Sequence, residues 1–187
     1  MPKVIRSDAS DAAGVSLLHP VDDPAARRAL AATLHATRLS TRWLAPRDAR
    51  SAAAFSEIDP TLVFAAFDGA RPVGAVALRR GLRDPFRLTP RRAAAAWGPA
   101  AGAARWAAYH AAQAAVSARG FYVSMFWVAP DRRGAGIGSA LLRMLASETA
   151  APVTALARPA AAPLFARCGW TLRRSPAARL LARATGC

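Results

Sequence analysis

Apolar and polar positions along the chain switch between a helical and a strand period. Val15-Ser-Leu-Leu18 is a short strand candidate. Asp22-Asp23-Pro24 then supplies a helix start, with Asp23 as N-cap and Pro24 at the first helical position, where a missing N–H costs nothing. Leu30, Leu34 and Thr37-Arg38 follow at helical spacing, which predicts a helix from Pro24 to about Leu39. A second helix is expected over Arg47 to Glu57, with Phe55 and Ile58 turned inward and its end marked by Asp59-Pro60. The period then falls to two. Thr61 to Phe67 and Val73 to Leu78 read as strands on either side of a Gly69-containing turn, short enough to make the pair antiparallel.

From Gly81 to Gly120 alanine dominates. Thr89-Pro90 opens this stretch, Gly98-Pro99 and Gly102 break it, and a helix is expected from about Ala103 to Ala118, anchored by Trp97, Trp106 and Tyr109. Arg105, His110 and Gln113 interrupt any apolar run long enough to span a bilayer, so no membrane partner is expected. Phe121 to Val128 is the strongest strand; its nearly continuous apolar run predicts burial on both faces. A Gly-rich turn, a helix from Ser139 to Glu148, a strand from Val153 to Ala157 and a short helix from Ala160 to Arg167 follow, the last stopped by Gly169. Trp170 onward suggests one or two terminal strands. The pattern is that of an α/β chain: a loose tail over 1–13, then one domain over 14–187 with a helical insertion at about 81–120.

Composition narrows the function classes. The 187 residues are 53% hydrophobic and carry a formal charge of +15, too apolar for a disordered chain. Of the 26 basic residues only Lys3 is a lysine, and the arginines are scattered in ones and twos, so charge alone does not make nucleic acid the expected partner. Cys168 and Cys187 make no disulfide framework, and neither they nor His19, His35 and His110 show metal-ligand spacing. The polar opening, Met1 to Asp11, carries no apolar targeting segment, and a cytoplasmic location is the expectation.

The chemistry concentrates in Arg132-Arg-Gly-Ala-Gly-Ile-Gly-Ser139, between the apolar strand and the next helix. Glycines at alternate positions leave the backbone bare, and a turn of this kind leading into a helix aims several N–H groups and the positive dipole end at one point. That arrangement suits a phosphate or pyrophosphate, with Arg133 adding a charge-assisted hydrogen bond. A Walker loop is excluded because the turn carries no lysine, and a Rossmann turn because Ser139 or Leu141 stands where its third glycine belongs.

Val128-Ala-Pro-Asp-Arg-Arg-Gly-Ala-Gly-Ile-Gly-Ser-Ala-Leu-Leu142 resembles the acyl-CoA-binding motif of the GCN5-related N-acetyltransferases (GNAT), Arg/Gln-x-x-Gly-x-Gly/Ala, met by Arg133, Gly136 and Gly138. The resemblance runs from about Val15 to Arg183. It implies a mixed, mostly antiparallel sheet flanked by helices, with a helical insertion between the third and fourth strands. The strands at 121–128 and about 153–157 would start parallel and splay apart to admit a pantetheine arm, which main-chain groups of Trp127 and Val128 would meet. Amides of Arg133, Gly134, Ala135, Gly136, Ile137, Gly138 and Ser139 would hold the pyrophosphate. The implied reaction is direct attack of a small-molecule or peptide amine on acetyl-CoA, with no metal.

The sequence departs from that family where catalysis is concerned. Arg158-Pro-Ala-Ala-Ala-Pro-Leu-Phe165 resembles a segment that commonly ends in a thiolate-protonating tyrosine, and a phenyl ring cannot donate. The family's frequent glutamate on the strand at 121–128 is also missing; Tyr122 and Ser124 are its polar members, on one face by alternation. Tyr122, as a relay through water, and Glu57, beside the expected acceptor site, are the catalytic candidates. A carboxylate-poor, basic protein should repel polyamines, tolerate neutral or acidic acceptors and favour amines of low pKa. Two other readings compete: an acyl-CoA-binding protein of this fold that has lost turnover, and a basic nucleic-acid-binding module. Aromatic strands and the alanine-rich stretch could also serve a homodimer contact.

Overall fold

A computed structural model of the chain describes residues 14–18, 21–37, 49–81, 83–114, 121–149, 153–155 and 159–171. The expected tail over 1–13 and the strands expected beyond Thr171 lie outside these residues. In chain order the elements are β1 (Ser16–Leu18), α1 (Pro24–Thr37), α2 (Ala49–Ala54), β2 (Val63–Asp68), β3 (Arg71–Arg79), α3 (Pro90–Trp97), α4 (Pro99–Ala114), β4 (Phe121–Val128), α5 (Ile137–Glu148), β5 (Val153–Ala155) and α6 (Ala162–Arg167). The strands form one sheet in the order β1-β2-β3-β4-β5. Neighbours are antiparallel except β4 and β5, which run parallel with Phe121, Tyr122 and Val123 opposite Val153, Thr154 and Ala155.

Local chemistry accounts for most boundaries. The Asp23 carboxylate accepts from the Ala25 and Ala26 amides at 3.1 and 2.9 Å and so starts α1. Asp59 caps a short turn over Pro60–Leu62, which takes Thr61 and Leu62 out of the strand expected there. The β2–β3 connection is shorter than the sequence suggests: Gly69, at φ +57°, and Ala70 make the turn, and Pro72 lies inside β3 beside an irregularity at Ala66/Phe67. Thr89 caps α3, and Gly98, at φ +85°, separates it from α4. Gly102 does not break the helix, contrary to expectation, but lies within α4. A Cβ there would come within 2.5 Å of the Ala93 carbonyl oxygen, so this glycine lets α4 cross tightly over α3.

Side chains alternate between two cores, one on each face of the sheet. Leu30 and Leu34 of α1, Phe55 and Ile58 beyond α2, and Ala93 and Tyr109 of α3 and α4 pack on Val63, Ala65, Ala75 and Ala77. Ile137, Leu141 and Leu145 of α5 pack on the opposite face against Phe64, Val76, Leu78 and Val123. Gly74 sets how closely α5 lies. A Cβ at this position would sit 2.8 Å from Ile137 Cγ2 and 3.1 Å from Leu141 Cδ1.

A buried polar network joins α4 to the sheet. Arg79, 0% exposed, donates to Asp84 at 2.8 Å, to the Gly81 carbonyl at 2.9 Å and to His110 Nδ1 at 2.7 Å. Because Arg79 can only donate, His110 accepts through Nδ1 and carries its proton on Nε2, facing the Leu88 carbonyl at 3.4 Å. Burial, and then the Arg79 charge, hold the His110 pKa below its ordinary value. Asp84 also accepts from the Tyr109 hydroxyl and the Phe86 amide, each at 2.8 Å. Burial pushes the Asp84 carboxyl up, but all these contacts are donors, and they suit the carboxylate.

β4 corrects two expectations. Only Val123 is fully buried; the other seven residues keep partial exposure. Among the described residues, Met125 to Val128 have ladder partners on β3 alone, and the pairing with β5 is described for Phe121 to Val123. The expected alternation of Tyr122 and Ser124 is also broken. Leu78 pairs with Val123 and Ala77 with Met125, so Ser124 is the extra residue of a bulge, and its hydroxyl donates to the Ala77 carbonyl at 3.1 Å.

Candidate acyl-CoA site

The turn between β4 and α5 is built from backbone rather than side chains. Ala129 is buried and its amide is tied to the Val73 carbonyl at 2.8 Å, fixing where the chain leaves β4. Pro130–Arg132 form one tight helical turn. Gly134 and Gly136 follow at φ +85° and +79°, a conformation that strains any residue with a Cβ, and Gly136 is the N-cap of α5. The first helical hydrogen bond runs from Ala140 to the Gly136 carbonyl. The amides from Gly134 to Ser139 therefore have no acceptor among the described residues, and residues 133–136 are exposed. Bare N–H groups at the start of a twelve-residue helix form an anion site with dipole support.

Charge reinforces it. The two carboxylates nearest in sequence and register are already neutralised: Asp131 makes a two-pronged bond to Arg71 with both arms at 2.9 Å, and Asp68 pairs with Arg132. The Arg71 hydrogen bonds hold the Asp131 carboxyl below its usual range. Arg133 is exposed and has no acidic partner among the described residues, so its charge is free for a ligand. The same ion pairs fasten the turn to the β2–β3 hairpin, so the site's entrance rests on the sheet.

Gly138 lies against the aromatic wall beside β4. A Cβ there would be 3.1 Å from Phe126 Cζ and 3.2 Å from Leu164 Cδ2. Phe126, Phe165 and Trp170 form a continuous ring cluster, with centroids 5.7 and 5.2 Å apart. Trp127 and Val128, opposite Ala75 and Gly74 on β3, carry the edge of β4 toward the turn. The predicted cofactor residues Trp127, Val128 and 133–139 thus fall along one path from the β4 edge to the start of α5. Their fit to a diphosphate with an extended arm rests on the open amides and the uncommitted Arg133.

The catalytic candidates fall elsewhere. Phe165 is buried in the ring cluster. Glu57 is exposed, beyond the end of α2, and bound to Arg92 at 2.7 Å. Tyr122 lies opposite Arg79 in the paired part of β4. Burial pushes its hydroxyl above the ordinary pKa of 10.0, so it holds its proton at neutral pH. The Arg79–Asp84–His110–Tyr109 network escaped the sequence reading. Only the fold brings residues from 79, 84 and 109–110 together. Among the described residues no group of His, Cys, Asp and Glu could hold a metal ion, and no helix is long and apolar enough to cross a membrane.

The family model described as "Acetyltransferase (GNAT) domain" matches residues 59–172, which hold β2 through α6 and the whole 127–139 path. That match covers more than half of the chain, and the protein belongs to this family of acyltransferase-type domains. Neither a curated protein nor a solved structure gives a significant match.

Proposed function

We propose that the protein transfers an acetyl group from acetyl-CoA to a primary amine of a small molecule or peptide. The observation that carries this reading is the run of unpaired amides from Gly134 to Ser139 at the head of α5, beside the uncommitted Arg133. Those amides and Arg133 would hold the diphosphate, and the one-sided edge of β4 at Trp127 and Val128 would align the arm. When bound, acetyl-CoA supplies the activated thioester carbon. Positioning is then the chain's main contribution, because a thiolate with a pKa of about 8.5 leaves tolerably near neutral pH without a dedicated acid. Tyr122 contributes a protonated hydroxyl that can orient the acceptor or pass a proton through water. Free thiol should appear when acetyl-CoA and an amine are supplied together, and not with either alone.

A second reading has its own support. Phe165, at the position the family commonly gives to a tyrosine donor, is 4% exposed and packed between Phe126 and Trp170. A protein that binds acyl-CoA without turnover would show saturable binding and no thiol release with any amine.

A further inference from the structure

We infer that two carboxylates, Asp131 and Asp68, strengthen the binding of the anionic coenzyme, although each places a negative charge beside the turn that receives its diphosphate. They act as positioning residues: each holds an arginine, and the two ion pairs together fix the glycine turn in its binding shape. This rests on the acyl-CoA reading above and adds to it the residues that organise the site. Asp68 ends β2, Arg71 opens β3, and the two are register partners across the Gly69–Ala70 turn. From this hairpin end, ion pairs reach two adjacent residues that lie 60 and 64 positions further along the chain. Arg71 donates through both Nη atoms to the Asp131 carboxylate, each at 2.9 Å, and Arg132 donates to Asp68. One pair runs from hairpin cation to turn anion and the other the reverse, so their charges cancel. Arg133 is then the first residue of the turn with charge left for a ligand.

The glycine turn needs such support. The Ala129 amide, on the Val73 carbonyl at 2.8 Å, anchors the chain where it leaves β4, and Ile137 anchors it again over Gly74. Between these anchors residues 133–136 are exposed, and Gly134 and Gly136 stand at φ +85° and +79°. Glycine backbone reaches many other conformations, and amides without internal acceptors do not hold one another in place. Converging them on one diphosphate carries an ordering cost, which falls if the turn is already fixed before the ligand arrives. A lone hydrogen bond at Ala129 lets the turn pivot about it; ion pairs on two adjacent residues, set on paired strand ends, remove that pivot. Arg71 and Asp131 are 58% and 52% exposed, so their pair contributes little to global stability and its effect is local. Coulomb attraction alone gives the opposite sign, because deleting a carboxylate near the turn should draw a polyanion in more tightly.

The test is calorimetric titration of the full chain with coenzyme A, comparing wild type with Asp131→Ala, Asp68→Ala, Arg71→Ala and the Arg71→Ala/Asp131→Ala double variant. Because these side chains are exposed, every variant should melt cooperatively and close to wild type. The expected result is affinity about fivefold or more weaker in each single variant, with the double variant no weaker than Arg71→Ala. In acyl transfer the KM for acetyl-CoA should rise in step, with kcat within about twofold of wild type, since the ion pairs lie at the diphosphate end. Arg71→Ala weakens binding under Coulomb attraction too; the two carboxylate variants separate the accounts. Affinity equal to or tighter than wild type in either Asp131→Ala or Asp68→Ala would overturn the inference. So would losses that multiply in the double variant, since Arg71 would then act on the coenzyme independently of Asp131. Both results leave coenzyme A binding to the wild type, and the acyl-CoA reading, intact. Absence of coenzyme A binding to the wild-type chain would overturn that reading and the inference together.

Discussion

Gly74→Ala tests whether the sheet fixes the position of the anion-binding turn. The new Cβ would stand 2.8 Å from Ile137 Cγ2, some 0.6 Å inside the 3.4 Å at which ordinary contact begins, and 3.1 Å from Leu141 Cδ1. Ile137 is β-branched and stiff, so relief must come from movement of the first turn of α5. Overpacking of this kind costs about 1–3 kcal/mol. At this chain length that corresponds to a fall of roughly 2–12 °C in Tm, at about 2–4 °C per kcal/mol. Because Ile137 sits among the open amides, coenzyme A affinity should fall as well. Thermal unfolding and calorimetric titration, repeated with Ile137→Ala alone and with both changes, complete a double-mutant cycle. Removing Cγ2 should recover at least about 1 kcal/mol of the Gly74→Ala cost. Additivity within about 0.5 kcal/mol, or a Gly74→Ala protein as stable and as competent in binding as the parent, would refute the contact.

Three further outcomes are expected. Arg79→Met strands the buried Asp84 carboxylate and should cost about 3–5 kcal/mol in chemical unfolding, with Arg79→Met/Asp84→Asn recovering part of that. His110 has a lower pKa folded than unfolded, so the unfolded chain binds the extra proton. Its contribution is complete above about pH 6.5 and is lost as pH falls below that value, by at most about 1.4 kcal/mol per pH unit. Asp84 titrates with the opposite sign, so the quantity to measure is the difference between wild type and His110→Gln, which should be flatter below pH 6.5; parallel curves would contradict the assignment. Under the proposed role of Tyr122, Tyr122→Phe should lower kcat about tenfold or more with coenzyme A affinity unchanged; an unchanged kcat would remove Tyr122 from the reaction.

The elements most legible in sequence are those with local signals. Asp23-Pro24, Thr89-Pro90 and Gly98 fix helix ends through their own backbone chemistry, and the β4 run needs no partner to be recognised. The turn at 132–139 is legible because its geometry resides in glycine backbone, which the sequence states directly. What resisted reading is what the third dimension creates. Gly102 looks like a helix breaker until α3 is seen lying against it, and Ser124 looks like an alternating strand residue until the bulge displaces it. The partial exposure of β4 depends on what covers its two faces in the fold, which the apolar run itself does not encode. Glu57 stands out in sequence as a carboxylate beside the expected acceptor site, and Arg92, which holds it, comes from α3.

The central claim is that peptide amides at the head of α5 grip the coenzyme's diphosphate. Titration calorimetry with acetyl-CoA should give saturable binding to the wild type. Affinity should be at least about tenfold weaker, or roughly 1.4 kcal/mol, for Gly136→Val, whose side chain would be forced to a φ of +79°, and for Arg133→Glu, provided both variants melt cooperatively. Unchanged affinity in both folded variants, or no binding to the wild type at millimolar acetyl-CoA, would contradict it.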